Sequence, residues 1–325
     1  MKKDLDTKAV DFDPFLRHGE LERTAPATEG QSEMWTSIVM SPEANLAYNE
    51  SISVNLSAPL DLGRLQSAAD RLVATHDALR MSFSPMGRTL HVSTENRCPI
   101  ATHDFSSESK DSQIQKWEAL RRAATQTPFA LDQAPLFRLV YVQISQSEYR
   151  LILSAHHLVT DGWSMAVILT DLAKAYSEGK LVPAPSFAEY ALKEKREIHH
   201  DTSARDYWTQ LFIDGGTILE MPHVGQRPAV RGFQSLRADK EIPQALVKGL
   251  KEVSRRYRSS YVAVQLAAFA VLLGRLCQQE DIAIGMPSAG QSSSGQDRLV
   301  LTSRNQAVRL SLNASIIPAC LMPTA

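Results

Sequence analysis

Cysteine is scarce in this sequence, and the few cysteines are far apart. Cys98, Cys277 and Cys320 are the three present in 325 residues, and no Cys-x-x-Cys pair occurs. Structural zinc sites and the disulfide frameworks of small secreted domains both need several closely spaced cysteines. The sequence therefore predicts neither a metal site nor disulfides, and it favours the reducing cytoplasm.

A surplus of either charge is also missing. Lysine and arginine number 35 against 36 aspartate and glutamate residues, for a formal net charge of −1. Proteins that bind nucleic acid usually carry a basic excess or a basic stripe. We therefore expect no nucleic-acid partner.

Apolar runs long enough to cross a bilayer are absent as well. The longest, VAVQLAAFAVLLGRL (262–276), is interrupted by Gln265, Gly274 and Arg275 and falls short of the ~20 apolar residues that a span requires. The N-terminal segment MKKDLDTKAVDFDPF has no apolar core and does not resemble a signal peptide. We expect no membrane partner, and we predict a buried helix over 261–276.

The composition that is present is typical of a globular protein, with 43% hydrophobic and 22% charged residues. The length suggests two lobes of ordinary size. Periodicity and turn residues predict strands at 52–56, 79–84, 87–93, 136–144 and 150–157, and a strand that runs into a glycine turn at 281–291. They predict helices at 61–76, 112–126, 163–178, 186–198, 203–212, 243–257 and 261–276. Because helices and strands are mixed along the chain, we predict the α/β class.

The strongest chemical motif is SAHHLVTDGWS (154–164), which lies where a predicted strand ends and a helix begins. Strand ends are where α/β folds place reactive groups. With 9 histidines and 18 aspartates in the chain, roughly one-half of an H-x-x-x-D match is expected by chance. A buried histidine followed by a helix-capping aspartate therefore remains an alternative to a catalytic site.

The residue types in this motif nevertheless suit acyl transfer. His157 can accept or donate a proton near neutral pH, or stabilise a developing charge. Asp161 could orient the imidazole or belong to a structural ion pair. Gly162 permits close approach of the backbone and could offer its N–H to an oxyanion.

Five blocks occur in the order and spacing of nonribosomal peptide synthetase condensation domains, and the similarity extends over about residues 26–298. The blocks are TEGQSEMW (28–35), THDALRMSF (75–83), AHHLVTDGWSM (155–165), PSFAEYA (185–191) and IAIGMPSAGQ (282–291). The third block matches the H-H-x-x-x-D-G pattern of that family. The chain thus resembles a condensation domain with a C-terminal truncation.

This resemblance implies two chloramphenicol-acetyltransferase-like lobes, the second incomplete, with a tunnel between them. It implies amide-bond formation between an acyl or peptidyl thioester and an aminoacyl amine, each held on the phosphopantetheine of a carrier protein upstream or downstream. No directly bound cofactor is implied.

The resemblance also implies roles for individual residues. His157 and Gly162 would be catalytic, with His157 acting as a base or positioning the amine. His156, Asp161 and Arg80 would be structural at the active site, and we predict an ion pair between Arg80 and Asp161.

Some positions depart from the family pattern or suggest a subtype. Gly30, Glu33 and Gln291 stand where the family commonly has Ala, Arg and Arg. The segment LAYNES (46–51) is similar to condensation domains of mixed polyketide–peptide assembly lines, which hints at a polyketide or fatty-acyl donor. The intact H-H-x-x-x-D-G argues against a heterocyclisation domain.

The resemblance predicts a division of the chain into a flexible leader (1–25), an N-terminal lobe (26–182), a partial C-terminal lobe (183–298) and an atypical tail (299–325). We expect the tail to be poorly ordered and strand 281–286 to lack partners, so that the chain alone condenses substrates inefficiently. Two alternatives remain open: a coenzyme-A-dependent acyltransferase of the same superfamily that uses His157, and an inactive remnant or docking module.

Overall fold

The structure is a computed structural model that describes residues 20–95, 97–200, 202–216, 218–222, 232–233, 236, 238–288, 297–300 and 304–311. The chain forms two compact units. Unit 1 holds the described residues up to His200 and those of 297–304, and unit 2 holds the others.

Nine strands and nine α-helices are present in the described part of the chain. The strands are β1 (Leu21–Pro26), β2 (Asn49–Leu56), β3 (Met81–Phe83), β4 (Thr89–Ser93), β5 (Ile100–Asp104), β6 (Phe137–Gln143), β7 (Tyr149–His156), β8 (Asp281–Ser288) and β9 (Arg304–Ser311). The helices are α1 (Glu29–Met40), α2 (Pro42–Ala47), α3 (Leu62–Thr75), α4 (Lys110–Gln126), α5 (Gly162–Glu178), α6 (Phe187–His200), α7 (Ser203–Leu211), α8 (Gln244–Arg256) and α9 (Tyr261–Cys277). The mixed α/β class predicted from the sequence is confirmed.

Unit 1 contains two sheets. The larger has the strand order β2-β7-β6-β5, and the smaller has the order β1-β4-β3. Within the larger sheet, β2, β7 and β6 pair antiparallel, whereas β5 pairs parallel to β6. The connection from β5 to β6 runs through α4, because a parallel pair needs a long crossover.

The core of unit 1 forms where α3 and α5 pack together and against the sheet. The apolar face of α3 lies in this core, because Leu65, Ala68, Leu72 and Val73 are all buried. A second cluster around Trp117 of α4 includes Phe105, Val142 and Ile152. Strand β7 is buried on both faces over most of its length, so its end is held firmly in place.

Unit 2 contains α7, α8, α9 and the two-stranded sheet of β8 and β9. Arg309 on β9 bonds both carboxylate oxygens of Asp281 on β8 and of Asp214, and it donates to the Leu211 carbonyl. The side-chain hydrogen bonds from Arg309 lower the pKa of Asp214 to about 2. These contacts fix β9 beside β8.

Three parts of the predicted division differ from the structure. Residues 21–25 are not leader, because β1 pairs with β4. Residues 187–200 belong to unit 1 rather than to a second lobe, because the first turns of α6 bury Phe187 and Ala188 in the unit 1 core. Leu299 and Val300 lie in that same core, although both were assigned to a poorly ordered tail.

Two predictions about unit 2 are wrong. Strand 281–286 does have a partner, since β9 pairs with β8. The helix over 261–276 is present as α9, but it is only partly buried: Ala270 and Leu273 are buried, whereas Val262, Phe269, Leu272 and Leu276 are exposed. Only α8 and β8 pack substantially on it within the described residues. The predicted tail from residue 312 onward lies outside the described residues.

In the described part of the chain, no single helix is long and apolar enough to cross a bilayer. The pair α8 and α9 meets those criteria only when the two are taken together, and they meet at an angle of 105°.

Candidate active site

The candidate active site lies at the end of β7 and the start of β2, two neighbouring strands of the larger sheet. Their register places Asn49 opposite His156 and Glu50 opposite Ala155. His157 follows β7 directly, and its backbone N–H donates to the Tyr48 carbonyl at 2.8 Å. The pairing therefore brings Tyr48, Glu50 and His157 together, although about one hundred residues separate them along the chain.

The imidazole of His157 is oriented by a turn of its own loop. Its Nδ1 lies 2.5 Å from the Thr160 carbonyl oxygen. A carbonyl oxygen only accepts hydrogen bonds, so Nδ1 carries the proton and donates it. The neutral ring then has its lone pair on Nε2. The side chain of His157 is partly exposed.

Glu50 is the carboxylate nearest to this imidazole. Its Oε1 lies 3.7 Å from His157 Nδ1, which is ion-pair distance but too long for a hydrogen bond. Burial raises the pKa of the Glu50 carboxyl, the charge of Asp161 raises it further, and His157 opposes this shift. Glu50 was not predicted as a site residue, and its place in the LAYNES segment was its one signal in the sequence.

His156 has the opposite environment to its neighbour. It is fully buried, and burial lowers its pKa to about 3, with the nearby His157 adding to the effect. Its Nδ1 accepts a hydrogen bond from the Leu158 N–H at 3.1 Å. The rings of Tyr48 and Phe129 pack against it. This environment favours the neutral form of His156, and the structural role that the resemblance implied stays a prediction.

Asp161 begins helix α5. Its carboxylate accepts a hydrogen bond from the Ser164 N–H at 2.7 Å, and its side chain is buried. This is an N-cap, which satisfies one of the unpaired N–H groups of the first helical turn.

The predicted ion pair between Arg80 and Asp161 is wrong. Both residues are described, yet the Arg80 guanidinium bonds Glu22 at 2.6 Å and the Ser93 and Val73 carbonyls instead. The reason is positional, because Arg80 ends the short 3-10 turn Asp77–Arg80 and points toward the smaller sheet that contains Ser93.

The block that contains Arg80 has a structural role in other ways. Asp77 accepts hydrogen bonds from the Ser186 hydroxyl and from the N–H groups of Phe187 and Ala188, so it caps α6 from a distant part of the chain. His76 Nε2 lies 2.9 Å from Asp171 on α5. The block at 75–83 therefore joins three elements of unit 1.

Gln31 links the first block to the histidine loop. Its side chain completes a capping box with Thr28 at the start of α1. Its Nε2 also donates to the Leu158 carbonyl at 2.9 Å, and the residue is almost fully buried. Two of the recognised blocks thus meet at the loop that carries His157.

Gly162 is the first residue of α5, where the N–H has no partner in a preceding turn. A Cβ built on it meets nothing within 4 Å. Packing among the described residues therefore does not require glycine at this position.

Among the described residues, no three His, Cys, Asp or Glu side chains are grouped so that they could hold a metal ion. The chemistry available at the site is that of one oriented imidazole, one nearby carboxylate and the N-terminus of a helix.

Comparison with known proteins places this arrangement in context. The profile of the family described as "Condensation domain" matches residues 21–300. Surfactin synthase subunit 2 of Bacillus subtilis (strain 168) is 29% identical over 283 residues, which are 86% of this chain and 8% of that protein. Tyrocidine synthase 3 of Brevibacillus parabrevis is 28% identical over 262 residues, 79% of this chain and 4% of that protein. The chain thus spans less than a tenth of these relatives.

Solved structures share the fold. The first condensation domain of the calcium-dependent antibiotic synthetase, in complex with a substrate analogue, aligns with a TM-score of 0.69 at 22% identity, covering 90% of this chain and 71% of that chain. The condensation domain from Monacolin K polyketide synthase MokA aligns with a TM-score of 0.74 at 17% identity, covering 91% and 69%. The resemblance inferred from the sequence blocks is confirmed.

Proposed function

Because this chain belongs to the condensation-domain family, we propose that it forms an amide bond between a carrier-bound acyl or peptidyl thioester and the amine of a carrier-bound aminoacyl group, in nonribosomal peptide biosynthesis. The observation that carries the proposal is the orientation of His157: its Nδ1 donates to Thr160, so Nε2 presents a lone pair.

The proposed reaction uses His157 as the proton carrier. The amine nitrogen attacks the thioester carbonyl carbon, and His157 Nε2 takes a proton from that nitrogen. The tetrahedral oxyanion collapses, the C–S bond breaks, and the imidazolium returns the proton to the leaving thiolate. The products are an amide and a free thiol, and the imidazole is neutral again.

The start of α5 is the second part of the proposed machinery. The Gly162 N–H has no partner in a preceding helical turn, and a helix N-terminus stabilises negative charge. A donor aimed at the developing oxyanion lowers the barrier because the charge is larger in the transition state than in the substrate. His156, Asp161 and Arg80 are proposed as structural residues around these two groups.

We further propose that units 1 and 2 correspond to the N-terminal and part of the C-terminal chloramphenicol-acetyltransferase-like lobes. The partners would be carrier domains upstream and downstream, whose phosphopantetheine arms present the substrates. A polyketide or fatty-acyl donor and a cytoplasmic location are the finer expectations that follow from LAYNES and the cysteine content.

The test is a condensation assay with both carrier domains loaded and the product measured by mass spectrometry. His157→Ala should lower the rate by about two to four orders of magnitude, the usual contribution of a general acid–base residue. His103→Ala is the matched control, because His103 lies on β5 at the opposite edge of the sheet. It should retain the wild-type rate.

Both variants should remain folded; His103→Ala should keep the wild-type melting temperature, whereas His157→Ala loses the bond to Thr160 and should melt slightly lower. Wild-type turnover by His157→Ala would contradict the assignment of the base. Product from an acyl-coenzyme A donor but not from a carrier-bound donor would overturn the proposed reaction in favour of the acyltransferase alternative.

A further inference from the structure

Glu50 occupies an energetically unfavourable position. It lies on β2 opposite Ala155 of β7, and His157 follows Ala155 by two residues along the chain. Burial is the largest influence on its carboxyl group and raises its pKa, so folding disfavours the charged form. Strand positions that face solvent more fully would hold a glutamate at lower cost.

The described contacts of Glu50 give it one ionisable partner within 4 Å. That partner is His157, at 3.7 Å. Asp161 and Asp77, by contrast, accept hydrogen bonds from the backbone N–H groups of Ser164 and Phe187. Glu50 therefore stabilises no helix end or turn among the described residues, and its position is explained by the imidazole beside it.

We propose that Glu50 is a positioning residue for His157, whose carboxylate stabilises the imidazolium formed when Nε2 takes the amine proton. This inference rests on the proposed function. The attraction acts across space, because the Thr160 carbonyl already accepts the Nδ1 proton and the carboxylate lies just beyond hydrogen-bond distance. In a partly desolvated site, a charge at this distance interacts much more strongly than it would in water.

Other ionisable groups lie near Glu50 and His157. Asp161 adds a second negative charge near Glu50, and His156 stays neutral because it is buried. The Tyr48 ring packs beside His157. The Glu50 carboxylate is thus the charge whose removal changes the site without breaking a described hydrogen bond.

The central experiment compares Glu50→Gln with wild type in the full chain. Glutamine has the shape of glutamate but no charge. The imidazole of His157 is followed by NMR with ¹⁵N-labelled histidine and assigned with His157→Ala. In Glu50→Gln the midpoint of the His157 titration should move to lower pH, because the imidazolium loses its stabilising charge. Glu95→Gln, which removes an exposed charge elsewhere in unit 1, should leave the midpoint unchanged.

The condensation assay is a second test of the role of Glu50. Glu50→Gln should lower kcat/KM by about tenfold or more at neutral pH, and the acid limb of its pH–rate profile should move to lower pH. Glu50→Asp keeps the charge and should recover part of both properties. Residues whose role is only structural would not shift the profile.

Thermal melting separates this role from a packing role. Because folding disfavours the charged Glu50, Glu50→Gln should melt at or above the wild-type temperature at pH 7. An unchanged titration midpoint in Glu50→Gln would overturn the proposal, whatever happens to the rate. If no variant and no wild-type chain condenses carrier-bound substrates, the proposed function fails, while the NMR titration still decides the coupling of Glu50 to His157.

Discussion

Single residues in the histidine loop differ sharply in environment even when they are adjacent. His156 is buried and neutral, with a pKa lowered to about 3 by desolvation, whereas His157 is partly exposed and oriented by Thr160. This contrast supports the proposal that His156 supports the loop and His157 reacts, and it gives each residue a distinct experimental signature.

Stability toward acid should depend on His156. In the unfolded chain a histidine takes up a proton below about pH 6.5, whereas the folded chain does not protonate His156 until about pH 3. Unfolding therefore takes up a proton between those values, and the free energy of unfolding falls as the pH decreases, by up to ~1.4 kcal/mol per pH unit.

The measurement is urea unfolding of the full chain between pH 6.5 and 4, in wild type and in His156→Gln, with a probe that reports on unit 1. Glutamine cannot take up a proton, so the variant should start less stable and lose less stability on acidification. Parallel pH dependences in the two proteins would show that His156 does not remain neutral on folding.

Part of the candidate site could be predicted from single residues. The position of His157 at a strand end followed from the strand pattern, and the capping role of Asp161 was one of the alternatives left open. Glu50 could not be found in this way, because its nearness to His157 depends on the register between β2 and β7. The ion pair of Arg80 with Asp161 failed for the same reason: Arg80 points toward the smaller sheet, which no local pattern indicates.

Helices of unit 1 show how distant residues can determine an element. The N-terminus of α6 is capped by Asp77, more than one hundred residues earlier, through three hydrogen bonds. The N-terminus of α3 is capped by its own neighbour Asp61. The two caps use the same residue type, one in a buried setting and one in an exposed setting.

Removal of these two caps should have unequal effects. Asp77→Ala leaves the buried N–H groups of Phe187 and Ala188 without their acceptor, which should lower the free energy of unfolding by ~2–4 kcal/mol. Asp61→Ala removes an exposed cap and should cost ~1 kcal/mol. Urea unfolding of both variants measures the difference, and hydrogen exchange of the α6 amides localises it. Equal losses would contradict the tertiary role of Asp77.

Elements with clear periodicity were predicted well, and those without it were missed. The helix over 61–76 was predicted from its periodicity, and α3 spans Leu62–Thr75. Helix α1 was missed because it buries only Gln31 and Met34, although the capping box of Thr28 and Gln31 was readable. Strand β5 was missed because it lies at a sheet edge, where its residues are mostly half-buried or exposed and do not alternate regularly.

After the residues that form most of unit 2, a later segment of the chain belongs to unit 1 again. Arg298 bonds Asp171, and Leu299 and Val300 lie in the unit 1 core. Trp163, beside the candidate site, donates to the Asp297 carbonyl at 2.8 Å. The boundary predicted at residue 298 was wrong because a family block marks sequence similarity and does not reveal which core a later residue joins.

Leu299→Ala should therefore destabilise unit 1. Truncating a fully buried leucine costs ~2–5 kcal/mol through lost burial and the cavity that remains. Leu236→Ala is the control, because Leu236 is fully exposed and should change stability by less than ~0.5 kcal/mol. Hydrogen exchange of the β7 amides reports unit 1 specifically. If Leu299→Ala leaves that exchange unchanged, residues 297–300 do not belong to this core.

This return has a consequence for protein synthesis. Leu299 leaves the ribosome about 100 residues after His200, which at roughly 5–20 residues per second is a delay of ~5–20 s. During that interval every other described element of unit 1 is already outside the ribosome, while the hydrophobic surface that will receive Leu299 and Val300 is uncovered. A nascent chain in this state is a substrate for chaperones that bind exposed apolar segments, and slower translation of residues 200–297 would prolong its exposure.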